Sequence, residues 1–215
     1  MTETLKPNGE HKETTLEGVD EVQENVEKKE VHRLINEGAR LLAQRKGKEA
    51  AAVLEKAYYM APDDVDVKIN LGGAYILQHR FGDAVAILEE AAKAAPDHPM
   101  VWTNLAAAYL GHLEHAGEEE QEAAIRAFKQ ALALDPKAPH VDYNLGLIYL
   151  QRGDLPTALA HFQRALEVNP ADKDANYYVQ KIQAQLTKAA QVSDEETPAE
   201  EEGSDDTNTS AGEAA

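Results

Sequence analysis

The sequence predicts an all-α protein, an α-solenoid of four helix-turn-helix repeats closed by a C-terminal capping helix. Three observations predict this fold. Prolines recur along the middle of the chain, small residues recur at fixed places before each proline, and a polar amphipathic segment follows the last one. Repeats of about 20 to 50 residues indicate stacked units, because a single helix pair cannot bury its own apolar face.

The prolines set the boundaries of the repeats. Pro62, Pro96, Pro136 and Pro170 are 34, 40 and 34 residues apart. A proline pushes the preceding residue out of the α region, so each one ends a second helix. The four units cover residues 31–64, 65–98, 99–138 and 139–172, and the third carries six extra residues before its second helix.

Equivalent positions of the four units carry similar residues. The eighth position is small, the eleventh is large, the twentieth and twenty-seventh are alanine, and the twenty-fourth is leucine or phenylalanine. At 3.6 residues per turn, these positions form one face of a first helix and one face of a second. The small eighth residues are Gly38, Gly72, Ala106 and Gly146, and the large twenty-fourth residues are Leu54, Leu88, Phe128 and Phe162.

This pattern resembles the tetratricopeptide repeat. The stretch from Trp102 to Tyr109 matches the opening helix of that family, tryptophan included, and the resemblance covers roughly 140 of the 215 residues. The first unit departs most, with Glu37 where leucine is expected and Gly47 near the expected turn aromatic. The resemblance implies that the first helices line a concave surface.

A capping helix is predicted over residues 173–188. Val179, Ile182 and Leu186 face one way at steps of three and four residues, while the other side is rich in glutamine and lysine. A stack of repeats needs such a half-polar end to stay soluble.

Both ends of the chain are acidic. Residues 1–30 hold nine acidic and four basic residues, and residues 187–215 hold nine acidic and one basic residue. We expect segments 1–30 and 189–215 to be largely disordered, since such polar segments bury too little apolar surface to offset chain entropy. The helical spacing of Val19, Val22 and Val26 leaves open a helix from about residue 18.

Composition excludes several functions. The net charge of −18 disfavours nonspecific binding to nucleic acids or to anionic membranes, both of which require a basic surface. With no cysteine and no apolar leader or span, we expect a cytoplasmic protein. The sequence carries no recognisable catalytic or phosphate-binding motif, so we expect neither an enzyme nor a cofactor or metal.

The first helices carry a repeated asparagine that packing does not require. The sixth position, opposite the buried face, is asparagine in every unit: Asn36, Asn70, Asn104 and Asn144. Asparagine is a poor helix former, whereas its amide both donates and accepts hydrogen bonds and can pair with a peptide group. An asparagine ladder of this kind resembles family members that hold extended peptides by their backbone.

The residues around the asparagines complete the predicted site. The ninth position is small in three units, which leaves room for a peptide backbone, and the second position is histidine in two. We predict that an extended segment of a partner protein is bound by the four asparagines together with Ala39, Gly73, Ala107, His32, His140 and Tyr143. Histidine at the groove would make binding pH-sensitive.

Other interpretations remain open at this point. The asparagines are also explained by hydrogen bonds between neighbouring helices, and the chain also fits a structural subunit that joins a larger assembly, or a homo-oligomer, through its convex face, insertion or ends. His112 and His115 of the insertion form a remote candidate metal site.

One peptide-binding mode of the family is disfavoured. Family members that hold the acidic C-termini of chaperones use a clamp of lysine, asparagine and arginine. The matching positions here are Ile35, Ala39, Asn70, Met100 and Asn104. Only Asn70 fits, and without cations a terminal carboxylate loses its charge-assisted bonds.

Overall fold

The computed structural model describes residues 16–195, which form nine α-helices, a short 3-10 helix at Leu113–His115 and no strand. The helices are α1 (Leu16–Ala43), α2 (Gly47–Met60), α3 (Val65–Leu77), α4 (Phe81–Ala94), α5 (Pro99–Leu110), α6 (Glu118–Leu134), α7 (Val141–Gln151), α8 (Leu155–Val168) and α9 (Lys173–Glu195). The all-α repeat fold is therefore confirmed. None of these helices is long and apolar enough to cross a membrane.

Helix α1 starts well before the first repeat. It is continuous from Leu16, so the described part of the acidic segment is helical, as the valine spacing left open with a helix from about residue 18. Extending an existing helix avoids the cost of nucleation. Pairs one turn apart support the extension, with Lys28 Nζ 2.6 Å from Glu24 Oε1 and Gln23 donating to Glu27. The expectations for residues 1–15 and 196–215 lie outside the described residues.

The capping helix is α9, which also runs further than its predicted end at residue 188. Ile182 is fully buried and Val179 nearly so, both against the last repeat. The Asp172 carboxylate accepts hydrogen bonds from the backbone N–H groups of Asp174 and Ala175, and this N-cap fixes the start of the helix.

The six extra residues of the third unit fall after α5, partly in the loop and partly at the start of α6. Part of the insertion forms the 3-10 turn at Leu113–His115. The remainder lengthens α6, which has 17 residues where α2, α4 and α8 each have 14.

A close approach of backbone to side chain holds the helices of each unit together. A Cβ atom added to Gly72 would lie 2.6 Å from Leu88 Cγ, and one added to Gly146 would lie 2.9 Å from the Phe162 ring. The glycine thus lets the second helix bring its large side chain onto the backbone of the first. The alanines at positions twenty and twenty-seven are almost all fully buried in the same layer.

Successive units are joined by a repeated polar contact. The Tyr75 hydroxyl donates to Glu55 at 3.1 Å, and the Tyr109 hydroxyl donates to Glu89 at 2.7 Å, each reaching back to the preceding unit. The contact is not repeated at Tyr149, whose ring instead stacks on His161 of its own unit with centroids 5.4 Å apart. The sequence already differs there, since the position equivalent to Glu89 holds a lysine.

Gly72→Val will destabilise the stack, because the added methyl groups overlap with Leu88. We expect a loss of about 1–3 kcal/mol in the free energy of unfolding. Chemical denaturation measures it. Gly82→Ala is the matched control, since a Cβ atom there meets nothing within 4 Å. Equal loss in both variants would contradict this account of the helix contact.

His98→Asp will stabilise the protein. Asp64 caps α3 by accepting from the Val67 N–H, whereas His98 at the start of α5 makes no side-chain cap and its Nδ1 is buried without a partner. An aspartate removes the buried nitrogen and supplies the cap, so we expect a gain of about 1 kcal/mol in unfolding free energy. Asp64→Ala should lose a similar amount. A thermal or denaturant melt that shows no gain for His98→Asp contradicts the assignment.

The contact between units two and three will weaken at high pH. Burial, then the hydrogen bond and charge of Glu89, raise the pKa of Tyr109 from 10.0 to about 12. The folded chain therefore keeps a proton that the unfolded chain releases, so this stabilisation is complete below pH 10 and is lost as pH rises toward 12. The pKa of Tyr109 is measured from the difference between the ultraviolet pH titrations of the wild type and of the Tyr109→Phe variant. Glu89→Gln should lower the pKa of Tyr109, and an unchanged value would assign the whole shift to burial.

Candidate functional site

The first helices form the inner layer of the stack. Helices α1, α3 and α5 contact one another, whereas the second helices α2, α4, α6 and α8 make no comparable contact among themselves within the described chain. A stack whose first helices lie closer together than its second helices curves with the first helices on the inside.

We define the inner face as the side of the first helices opposite the glycine contacts. It comprises positions two, six, nine and thirteen of each unit. These residues are His32, Asn36, Ala39, Ala43, Asp66, Asn70, Gly73, Leu77, Met100, Asn104, Ala107, Gly111, His140, Asn144, Leu147 and Gln151. Nine of the ten residues of the predicted site belong to the inner face, and Tyr143 does not.

The asparagines of the inner face differ in their hydrogen bonds. Asn36 is exposed and the other three are half-buried. The Asn70 amide donates to Asp66 O of its own helix at 2.8 Å, and the Asn104 amide donates to Ile69 O of the neighbouring helix at 3.4 Å. The alternative explanation of the asparagines, a hydrogen bond between neighbouring helices, therefore applies to Asn104. In both residues one amide N–H is engaged, while Oδ1 retains its capacity to accept.

Asn144 is set apart from the other three asparagines. Helix α7 does not pack against α5 as α5 packs against α3, at least among residues 16–195. The insertion and the longer α6 lie at this junction. The structure therefore places Asn36, Asn70 and Asn104 on directly packed helices, and Asn144 beyond the interruption.

The predicted small residues leave open space beside the asparagines. Ala39 is exposed, and Gly73 and Ala107 are half-buried. A Cβ atom added to Gly73 would meet only Leu42 Cδ1, at 3.8 Å, which is an ordinary contact. No tight packing within the stack explains this glycine, in contrast to Gly72.

The two histidines occupy different settings. His32 is exposed, and its Nδ1 lies 2.8 Å from Lys28 O, one turn earlier in α1. His140 has φ +63° at the start of α7 and lines a cleft of about 290 Å³ with Tyr143. The Tyr143 ring packs edge-on against Phe162 at 5.7 Å, and burial raises its pKa. His140 and Tyr143 are thus brought together, whereas His32 lies at the other end of the stack.

A cleft between α5 and α6 was not predicted. It has a volume of about 440 Å³, and its lining includes Trp102, Leu105 and Tyr109 of α5 and Arg126 and Gln130 of α6. The tryptophan indole donates to Pro96 O at 2.8 Å, which holds the ring at the cleft. The sequence feature that could have indicated this cleft is the large Trp102, which faces the small Ala123 and Ala127 of α6. The same pattern also fits ordinary packing between two helices.

The insertion histidines take part in an aromatic cluster. His112 stacks on His79 with centroids 4.7 Å apart, and His115 lies edge-on to His112 at 6.0 Å. Among the residues that the structure describes, no group of three or more histidine or carboxylate side chains is arranged to hold a metal ion.

Comparisons with known proteins identify the repeats. Two family models, each described as tetratricopeptide repeat, match residues 41–109 and 114–177. Anaphase-promoting complex subunit 3 of Schizosaccharomyces pombe is 40% identical over 60 residues, which are 28% of this chain and 9% of that protein. The cell division cycle protein 27 homolog of Caenorhabditis elegans is 36% identical over 64 residues, 30% of this chain and 8% of that protein. The matched stretches thus span less than a tenth of either relative.

Solved structures share the fold at low identity. PilF of Pseudomonas aeruginosa has a TM-score of 0.65 at 18% identity, covering 78% of this chain and 74% of that one. MamA of Desulfovibrio magneticus has a TM-score of 0.55 at 24% identity, covering 66% and 77%. The first tetratricopeptide domain of Spaghetti, solved with an HSP90 peptide, has a TM-score of 0.51 at 24% identity, covering 57% and 95%. With four units in sequence register and both family models matched, the chain belongs to the tetratricopeptide repeat family.

Proposed function

We propose that this chain is a non-catalytic interaction scaffold that binds an extended segment of a partner protein along its inner face. The observation that carries the proposal is the asparagine at the sixth position of all four first helices. A helix position that core packing does not fill is more stable with alanine, glutamate or lysine, so four asparagines point to a use other than helix stability.

The hydrogen bonds of the asparagines suggest how each would contribute. Asn70 and Asn104 have one donor engaged, which orients the amide and leaves Oδ1 to accept a peptide N–H. Among the described residues, no side-chain hydrogen bond involves Asn36 or Asn144, so these amides can offer both a donor and an acceptor. Asn70 and Asn104 would thus offer oriented acceptors, and Asn36 and Asn144 on either side would offer both a donor and an acceptor. This arrangement suits an extended peptide backbone, whose N–H and C=O groups alternate.

The space beside the asparagines supports the same proposal. Ala39, Gly73 and Ala107 follow their asparagines by three residues, so each lies next to its amide on the helix surface. Because their side chains are small or absent, a peptide backbone can approach the helices closely. The first helices of units one to three pack directly at about 10 Å, and with Asn144 beyond the interruption the four asparagines would span at least about 30 Å, or about nine residues of extended chain.

The comparisons are compatible with this class of function. The Spaghetti domain holds a short peptide of a partner, although at 24% identity the likeness extends to the fold alone. Nothing in the inner face reproduces a cationic clamp, so we propose recognition of an internal segment, not of a free acidic C-terminus.

Replacing Asn70, Asn104 and Asn144 together by alanine should abolish partner capture, since the variant loses the amides that would meet the peptide backbone. Affinity capture from a native lysate, compared by mass spectrometry with the wild type, measures the loss. The matched control replaces the exposed amides Gln163, Gln180 and Gln185, which lie on α8 and α9. It should retain every partner.

The variant must first be shown to be folded, because losing the Asn104 bond costs about 1 kcal/mol. Unchanged capture by the folded asparagine variant would falsify the inner-face proposal. It would instead favour the second candidate, an assembly subunit that uses its outer side, for which the cleft beside Trp102 is the specific observation.

A further inference from the structure

The inner face carries far less charge than the rest of the protein. Charged residues make up 28% of the chain, yet the sixteen inner-face positions include a single formal charge, that of Asp66. Helix α5, at the centre of the stack, has no charged residue between Pro99 and Leu110. The remaining inner-face side chains are amides, histidines, small residues and apolar residues, among them Met100, which is 56% exposed.

The other charged groups of the central first helices point away from this face. Lys68 is buried and lies 3.1 Å from Glu90 of α4. Asp142 is buried and lies 2.8 Å from His161 of α8. Both occupy the fourth position of their units and are paired with a second helix, so neither charge faces the centre of the inner face; Asp142 and Asp172 line the cleft at its His140 end.

A charged partner side chain would be penalised at such a surface. On binding it loses water, and the protein offers no opposite charge in return. An uncharged side chain loses much less. The centre of the inner face therefore selects against aspartate, glutamate, lysine and arginine in the segment that it covers.

The surroundings of the inner face favour the opposite property at the ends of that segment. Asp66 is exposed at its edge, in the first turn of α3. The whole chain carries a net charge of −18, of which −13 belongs to residues 1–30 and 187–215, and this charge attracts cations from solution and repels anions. Basic residues placed just outside the covered segment would keep their water and gain this attraction.

We propose that the inner face binds an extended segment whose central residues are uncharged and whose flanking residues are basic. This inference rests on the proposed function and adds the chemical class of the partner.

Synthetic peptides of about nine residues test the inference with the full chain, by isothermal titration calorimetry. The reference peptide has threonine, valine and asparagine at its centre and two lysines at each end. A second peptide has one central glutamate, a third has one central lysine, and a fourth has glutamates at both ends. We expect each of the three to bind about tenfold more weakly than the reference, or worse. Salt should weaken the reference peptide and partly restore the peptide with glutamates at both ends, because it screens solvated charges, but it should not restore the two peptides with a central charge.

A charge introduced into the face gives a sharper test. Ala107→Glu places a carboxylate beside Asn104, where it should weaken the reference peptide and strengthen the peptide with a central lysine. Ala52→Glu adds the same charge on the exposed side of α2 and should change neither preference. Thermal unfolding of both variants checks that the fold is retained.

The outcomes separate the two proposals. If the alanine variant of Asn70, Asn104 and Asn144 binds every peptide as tightly as the wild type, the inner face is not the binding site and the proposed function fails. If that variant loses binding but the wild type accepts central charges equally well, only the present inference is overturned. Failure of every peptide to bind the wild type also overturns it, while the lysate capture then decides the proposed function.

Discussion

The architecture depends on the close contact between the two helices of each unit. Where a glycine stands at the eighth position, the large residue of the second helix rests on the backbone of the first, as Leu88 does on Gly72. The pair then presents a flat apolar side to the next pair, and stacking buries it. The first helices end up nearer to one another than the second helices, which gives the stack its inner side. A bulky eighth residue would separate the pair and remove both consequences.

The repeat could be predicted from the sequence because its signals are local. Prolines end the second helices, and small and large residues alternate at fixed steps, so the order of helices follows without tertiary information. The start of α1 at Leu16 could not be predicted in the same way, because helix extension depends on a nucleus formed elsewhere in the chain. The separation of α5 from α7 depends on how the longer α6 packs, and a six-residue insertion does not specify that.

The candidate site, like the fold, could be predicted from the sequence only in part. Periodicity alone places the asparagines on the side of the first helices that packing leaves open, and the ninth-position residues beside them. The donors of Asn70 and Asn104 could not be assigned from spacing, since a bond to Asp66 O within a helix and one to Ile69 O across helices look alike in a repeat pattern. Pairing of Lys68 and Asp142 with the second helices was equally hidden. With these charges paired, Asp66 is the one formal charge among the inner-face positions.

The interruption after the third unit has a mechanical consequence. In a one-dimensional array, rigidity is transmitted only from neighbour to neighbour. At the junction with the fourth unit, the tyrosine-to-glutamate contact of the earlier units is replaced by Arg152, at the end of α7, which donates to Gln121 and Glu122 of α6. Within the described chain, α5 and α7 lack the close packing that joins α3 to α5. Because α6 and α7 pack less closely than the helices at the earlier junctions, we expect the array to bend most here, between a three-unit arm and a shorter arm made of the last unit and its cap. A ligand that contacts both arms would restrict their relative motion and make the stack more rigid.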